Sequence, residues 1–484
     1  MSIPTILMKD GYKADHRSQY PEGTEYIYAN FTPRGTRVEG CESVVVFGVQ
    51  YLIKKFLIEE FTNTFFTRPK AQVLGEYQTI MDSYLGPNMI TTEHLEDLYE
   101  LGYLPIRIKA LPEGTRCPLK VPFMTIVNTD PKFFWLTNML ETLISTTLWH
   151  PITSATTADR YRRLFDKFSI ETGGEDWFTA LQGHDFSMRG LCGVEAATVS
   201  AAAHLTSFIG SDTIPAIPWL QRYYKAEPTK TTVACSVPAT EHSVMCLGEK
   251  STEIDTFKRL INDVYPSGIV SIVSDTWDFW KVVTEFLPEL KEDIMSRDGK
   301  VVIRPDSGDP VDIICGDSSE YHPKGSPERK GLIECLWETF GGTVNEAGYK
   351  VLDPHIGAIY GDSITYERAE QILVGLKKKG FASDNIVFGI GSYTYQYVTR
   401  DTHGFAVKAT MGVVNGEQRA IFKDPKTDNG LKKSAKGLLH VTEDLELVDD
   451  VTWLQEDKGA LRTVFENGLT FNETSLEEIR KRLR

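Results

Sequence analysis

VVIRPDSGDP, residues 301–310, carries three consecutive apolar β-formers into Arg304 and Pro305, and then into Asp306, Ser307, Gly308 and Asp309. That order of residues describes a buried strand that stops at a polar, glycine-containing turn. The layout recurs on both sides. GIVSIVSDTWD (268–278) places Asp275 after its apolar run, IGAIYGDSIT (356–365) places Gly361 and Asp362, and NIVFGIGSY (385–393) places Gly391 and Ser392. Helix-length segments separate several of these runs. Strand, polar loop, helix, strand is the pattern of a parallel α/β sheet or barrel. In such folds the loops after the strands gather at the carboxyl end. Asp, Gly and Arg residues far apart in sequence are therefore expected to meet in one crevice.

At 484 residues the chain has room for two or three domains and a substantial core. A net charge of −15 argues against general nucleic-acid binding, although a local basic pocket could still attract phosphates. The seven cysteines form no CxxC pair and are odd in number, which fits reduced thiols in a cytosolic protein and not a disulfide framework. The first residues, MSIPTILMKDGYKADH, lack the basic and apolar blocks of a secretory signal. No stretch approaches the roughly 18 apolar residues that span a bilayer. The expectation is a soluble, cytoplasmic protein.

Along the chain, residues 1–60 read as short strands mixed with a turn, with Asp10-Gly11-Tyr12-Lys13 as a polar loop bearing an aromatic ring. Residues 105–127 alternate β-formers with Pro and Gly, which suits short twisted strands. Leu136, Met139, Leu140, Leu143 and Ile144 fall at helical spacing, as do Tyr161, Leu164, Phe165 and Phe168, and predict two helices. An Ala-rich helix is expected from about Val194 to Phe208, after the loop HDFSMRG (184–190). AVKATMGVVNG (406–416) looks like a hairpin, and residues 422–437 like a basic loop. Ser475 and Glu478 have capping-box spacing ahead of a short terminal helix.

Walker A, HExxH and EF-hand sequences are absent, and GIGSYT (389–394) lacks the third glycine of a dinucleotide fingerprint. What remains is a constellation. RPDSGDP is an ordinary set of turn residues, but Arg304 at a strand end can also grip a phosphate, and Asp306 can accept from sugar hydroxyls or hold Mg²⁺. Asp275 and Asp362 could cap the next helix; three such aspartates on parallel strand ends are harder to explain as caps. His242, between Glu241 and Ser243, is either a structural hydrogen-bonder or an imidazole oriented by the neighbouring carboxylate for nucleophilic or acid–base work. Asp185, Phe186 and Arg189 share a loop whose aromatic ring and guanidinium would suit a flat heteroaromatic ring and a diphosphate. Asp212 in GSDT reads as a cap or Asx-turn. Arg400, Lys408, Lys423, Lys432 and Lys433 make the last quarter locally basic, and Gly391-Ser392 would offer backbone N–H groups to a phosphate.

Taken in order, DGYKADH, YPEGT, NTDP, WHPITSAT, HDFSMRG, GSDT, SVPATEHS, VSDTWD, VIRPDSGDP, GDSIT, FGIGS, TRDT and FKDPKTD resemble the nicotinamide phosphoribosyltransferase family over nearly the whole chain. The resemblance implies the type II phosphoribosyltransferase fold: an irregular, TIM-like α/β barrel domain plus a β-rich α/β sandwich domain built from both chain ends. The corresponding boundaries are 181–404 for the barrel and 1–180 with 405–484 for the sandwich domain. It implies transfer of phosphoribosyl from phosphoribosyl pyrophosphate to nicotinamide, giving nicotinamide mononucleotide and pyrophosphate for NAD salvage. It also implies Mg²⁺, ATP as co-substrate coupled through a phosphohistidine, and a homodimer with shared active sites.

On that resemblance, Phe186 would stack on the pyridine ring, with Tyr12 from the other subunit on its second face. Asp212 would accept from the carboxamide, Arg304 would lie between ring and diphosphate, and Arg189 would bind pyrophosphate. His242 would be phosphorylated, with Glu241 beside it. Asp275 would help hold the ribosyl diphosphate and its metal, and Asp306 the ribose hydroxyls and that metal. Gly361, Asp362, Gly391 and Ser392 would line the 5-phosphate pocket. Arg400 and Lys408 would reach it from the other subunit, and Lys423 and Lys432 would face the nucleotide side. The chain departs from the family's glycine run at Gly391-Ser392-Tyr393, and carries Met188 where better-known members have Tyr. Three rival readings are a nicotinate phosphoribosyltransferase, a metal-dependent barrel enzyme of another class, and a non-catalytic binding protein. Asp212 argues against the first, because it would face the substrate's own carboxylate.

Overall fold

The computed structural model describes residues 3–361, 364–422 and 435–484; Asp362, Lys423 and Lys432 lie outside the described residues. The chain forms two compact units: Met1–Thr156, Leu220–Ala226 and Val398–Arg484 make one, and Thr157–Trp219 with Glu227–Tyr397 makes the other. The family resemblance implies boundaries at 180/181 and 404/405 instead.

The first unit is organised by a seven-stranded antiparallel sheet. Its strands lie in the order Glu417–Ala420, Phe405–Val414, Thr24–Pro33, Met124–Asn128, Ile106–Ala110, Arg462–Glu466 and Leu469–Thr470. The expected hairpin is present, and Asn415 and Gly416 turn it with φ of 50° and 76°, the left-handed pair that a two-residue turn requires. The first sixty residues differ from their reading. Residues 49–66 are helical, through Val49–Tyr51, Leu52–Glu60 and Thr62–Phe66. Val49, Leu52, Ile53, Leu57, Phe61 and Phe65 recur every one to four positions and are all buried, so one helical face supplies the burial that looked like strand composition. Residues 220–226 join this unit because Tyr224 stacks on Phe47 and donates its hydroxyl to the buried carboxylate of Glu113 at 2.8 Å. Glu113 also accepts from the backbone N–H groups of Gly48 and Gln50, at the start of the helical stretch.

The second unit contains six parallel strands: β1 (Gly183–Asp185), β2 (Gly210–Ser211), β3 (Ser267–Val273), β4 (Asp298–Arg304), β5 (Ile356–Tyr360) and β6 (Ile386–Ile390). They pair in the order β2-β1-β6-β5-β4-β3. The run 301–303 is thus the buried end of β4, and each apolar run chosen beside it is also a strand. Parallel strands are covered on both faces, which is why β5 is buried at every residue. The two edges of the sheet meet through one extended segment. Gly210 of β2 bridges to Cys235, and Ser271 of β3 bridges to Ala239. Helices Val194–His204, Pro310–Cys315, Leu332–Phe340 and Tyr366–Lys378 follow the strands. Of the two periodic runs expected as separate helices, the second lies with Leu143 and Ile144 of the first in one long helix, Glu141–Thr172, while Leu136 and Met139 lie in the single turn Leu136–Met139 before it. Enclosed by the strands is a cavity of about 230 Å³, partly open to solvent, lined by residues from all the strands but β2.

Candidate active site

Two neighbouring loops at the carboxyl ends of β1 and β2 are tied together by one carboxylate. Asp185 is fully buried and accepts four hydrogen bonds: from Ser187 N at 3.0 Å, Ser187 Oγ at 2.5 Å, Ser211 Oγ at 2.8 Å and Thr213 Oγ1 at 2.7 Å. Its own carbonyl accepts from Asp212 N at 3.0 Å. A buried anion needs donors, and these come from both loops, so the positions of Phe186 and Asp212 are fixed together. Phe186 turns into the cavity, its backbone N–H bonded to Ile390 O of β6 at 3.0 Å. Arg189 is exposed on the short turn Met188–Gly190 that follows.

Asp212 also lines the cavity. Its Oδ1 lies 2.8 Å from His184 Nε2 and accepts from Ser236 Oγ at 2.6 Å. Burial works to raise the Asp212 pKa, but the hydrogen bonds of His184 and Ser236, followed by the charges of His184 and Arg304, outweigh it and hold the carboxyl below the usual aspartate range. Neither His184 nor Ser236 was singled out from the sequence, although both stand in the motifs HDFSMRG and SVPATEHS. Strand alternation is the signal that could have found His184: with Asp185 turned into the buried network, its neighbour faces the cavity.

The loops after β3 and β4 form a second cluster. Asp275, whose side chain is 3% exposed, presents Oδ1 to His242 Nε2 at 3.1 Å. Its Oδ2 accepts from Asp306 N at 3.1 Å and Ser307 Oγ at 2.5 Å. The carboxylate that orients His242 is therefore Asp275. Glu241, adjacent in sequence, accepts from Ser243 Oγ instead. Arg304 donates to Thr240 O at 2.8 Å and has its Nε 3.5 Å from Asp306 Oδ1, so it sits between this cluster and the cavity that it lines. After β5, Gly361 donates to Pro305 O at 3.2 Å, and a Cβ there would stand 2.0 Å from Asp306 Oδ1. Only glycine lets the β5 loop pass this close to Asp306. After β6, Gly391 precedes the short helix Ser392–Gln396, and the Ser392 side chain packs against Gly190 of the Arg189 turn.

Asp185, Phe186, Arg189, Asp212, Glu241, His242, Asp275, Arg304, Asp306, Gly361, Gly391 and Ser392 all belong to the second unit, on the loops at one end of its sheet or on the segment 235–243. Tyr12, Arg400 and Lys408 belong to the first unit. The Tyr12 ring is 63% exposed, and Arg400 lies on an exposed turn capped by Thr399 with its guanidinium 3.4 Å from Asp401. Among the described residues no group of three or more His, Cys, Asp and Glu side chains is arranged to hold a metal. Asp275 and Asp306 are the carboxylates that a Mg²⁺ ion here would meet; with both Asp275 oxygens already engaged, such an ion would be held chiefly through its waters and substrate phosphates.

The nicotinate phosphoribosyltransferase (NAPRTase) family model matches residues 181–469, and the chain belongs to this family. A second model, described as the nicotinamide phosphoribosyltransferase N-terminal domain, matches residues 5–106. The chain is 54% identical to the nicotinamide phosphoribosyltransferase of Acinetobacter baylyi, over 98% of this chain and 96% of that one. Enzymes of the same name from Mycoplasma pneumoniae and Xanthomonas campestris are 36% identical, over 87% of this chain and 92% of that one, and 33% identical, over 98% and 97%. Among solved structures, the nicotinate-nucleotide pyrophosphorylase of Pyrococcus furiosus aligns with a TM-score of 0.59 at 13% identity, covering 100% of this chain and 96% of that one. Human nicotinic acid phosphoribosyltransferase aligns with a TM-score of 0.55 at 14% identity, covering 99% and 93%. These two likenesses establish a shared fold. No helix among the described residues is long and apolar enough to cross a membrane.

Proposed function

We propose that this chain is a nicotinamide phosphoribosyltransferase, transferring phosphoribosyl from phosphoribosyl pyrophosphate to nicotinamide with release of pyrophosphate. The observation that carries the choice of base is Asp212, a carboxylate held in its charged form at the wall of a cavity shared with Phe186 and Arg304. A charged carboxylate accepts a hydrogen bond from a carboxamide and repels the carboxylate of nicotinate. In this reading the second unit is an irregular, TIM-like barrel, and the first is a β-rich domain that closes over the chemistry of a second copy.

Breaking the bond from C1 to pyrophosphate builds positive charge on the ribose and negative charge on the leaving group. Arg189 and Arg304 are the cations that answer the latter. Asp306 takes the ribose hydroxyls. Phe186 gives the flat ring one face to lie on, and positioning matters because nicotinamide is a weak, neutral nucleophile. Gly361, Gly391 and Ser392 line the 5-phosphate pocket. Mg²⁺, held through the diphosphate and by Asp275 and Asp306, would supply further charge neutralisation. ATP acts as co-substrate by phosphorylating His242, an exposed imidazole whose Nε2 is fixed by Asp275. The exposed Tyr12 ring, with Arg400 and Lys408, serves the site of the partner in a homodimer.

The test is mononucleotide formation by purified protein given phosphoribosyl pyrophosphate, Mg²⁺ and either nicotinamide or nicotinate, with and without labelled ATP. Nicotinamide is used, and an acid-labile label appears that is absent from His242→Ala. Product from nicotinate alone would overturn the reading, and an unlabelled protein with kinetics indifferent to ATP would remove the coupling.

A further inference from the structure

Asp212 has two carboxylate oxygens, and the structure treats them differently. Oδ1 is taken by two side chains, His184 Nε2 at 2.8 Å and Ser236 Oγ at 2.6 Å. Among the described residues none donates to Oδ2, and the side chain is 46% exposed toward the cavity. The two partners come from different elements. His184 is the middle residue of β1, and Ser236 lies on the segment 235–239 that joins the edges of the sheet. Space for the imidazole is made by Gly210, where a Cβ would stand 2.8 Å from His184 Nδ1. The ring also leans against Phe186, with centroids 4.6 Å apart and planes at 42°.

We propose that His184 and Ser236 are specificity-determining positioning residues: they occupy Oδ1 of Asp212 so that Oδ2 alone is presented to the carboxamide. The proposal rests on the reading of the site as a nicotinamide site and names what makes it selective. An aspartate without these donors, half-buried against an apolar cavity, would lose the hydrogen bonds that offset burial and would protonate more readily. A protonated Asp212 can donate to a carboxylate, so it would accept nicotinate. The charged and titratable groups around the pair are Arg304, whose charge also lowers Asp212, and His204, which feels both His184 and Asp185. Arg304 alone is an incomplete substitute, because its guanidinium is committed to Thr240 O and Asp306.

The experiment compares kcat/KM for nicotinamide and nicotinate, over a range of pH, in wild type, His184→Leu, His184→Gln and Ser236→Ala. His184→Leu keeps bulk at the cavity wall and removes the donor. It is expected to lower the nicotinamide-to-nicotinate ratio about tenfold to a hundredfold, the size of one charge-assisted hydrogen bond. It should also move the acid limb of the nicotinamide profile to higher pH. His184→Gln restores an N–H near the same place and should bring the ratio back to within about threefold of wild type. Ser236→Ala removes the smaller partner and should lower the ratio about threefold to tenfold, which keeps the test decisive if His184→Leu fails to fold. A folded His184→Leu, or failing that Ser236→Ala, that slows both bases equally and leaves the acid limb in place would overturn the inference. A wild type that uses both bases equally would instead overturn the nicotinamide reading on which it rests.

Discussion

Asp212 and Asp384 line the same cavity from opposite ends of the parallel strands, and their carboxyl groups are pushed in opposite directions. Asp212, beyond the carboxyl end of β2, is held below its usual range by His184 and Ser236 against the effect of burial. Asp384, just ahead of β6, is raised by burial, which its bond from Glu175 N at 3.3 Å and the charge of Lys300 do not offset. Lys300, near the start of β4, is itself lowered by burial. Desolvation acts on both aspartates, and only Asp212 has enough donors to outweigh it. Hydrogen-bond donors to carboxylates are dense at its end of the strands, with four on Asp185 and three on Asp275 counting His242. Polar loops at the carboxyl strand ends supply such donors, whereas at the amino end the cavity is lined by the aromatic rings of Trp177 and Phe178, on the helix Asp176–Gln182 ahead of β1. The contrast locates chemistry that needs fixed negative charge at one end only.

The largest expected effect comes from stripping the donor-rich end. Arg304→Ala and Asp306→Ala should each lower kcat/KM for nicotinamide by about 10²–10³, read in steady-state assays, because each removes a group aimed at charge or hydroxyls in the transition state. An Asp306→Ala enzyme within threefold of wild type would break the contrast at its strongest point. Asp185→Ala should come next. It leaves four donors facing a void, costing on the order of 3 kcal/mol in denaturant unfolding, and it frees the Phe186 and Asp212 loops from each other, raising KM for nicotinamide about tenfold. Unchanged KM with lost stability would mean that the network is scaffolding alone. Lys300→Met should have the smallest effect, within about threefold in kcat/KM, since the cation there is already disfavoured by burial.

Much of this arrangement is legible in the sequence, and the parts that are not have a common cause. The apolar runs ending in Asp275, Arg304, Gly361 and Gly391 are all strands, because a short apolar run rich in β-formers and ending in turn residues is too short for a helix and is buried most readily as a strand. The hairpin at 406–416 and the capping box of Ser475 and Glu478 are local signals and stand as read. Residues 49–66 are helical because burial there repeats on a helical face that short apolar runs disguise. The partners of the site residues could not be read, since they depend on which loops meet. His184 and Ser236 reach Asp212 across 28 and 24 positions, and Asp275 reaches His242 across 33, displacing the adjacent Glu241 as the orienting carboxylate. Spacing along the chain carries no information about such pairs until the order of strands is known.

The central claim is that a charged Asp212 reads the amide, and one comparison tests it: kcat/KM for nicotinamide and for nicotinate in wild type and in Asp212→Asn. Phe186 cannot separate the bases, because their rings are the same. A charge-assisted hydrogen bond to the amide, worth roughly 1.5–3 kcal/mol, and like-charge repulsion of several kcal/mol against nicotinate together predict a preference of at least about a thousandfold. Asn keeps the shape and removes the charge, so the ratio should collapse toward unity. Equal use of both bases by the wild type, or an unchanged ratio in Asp212→Asn, would contradict the account.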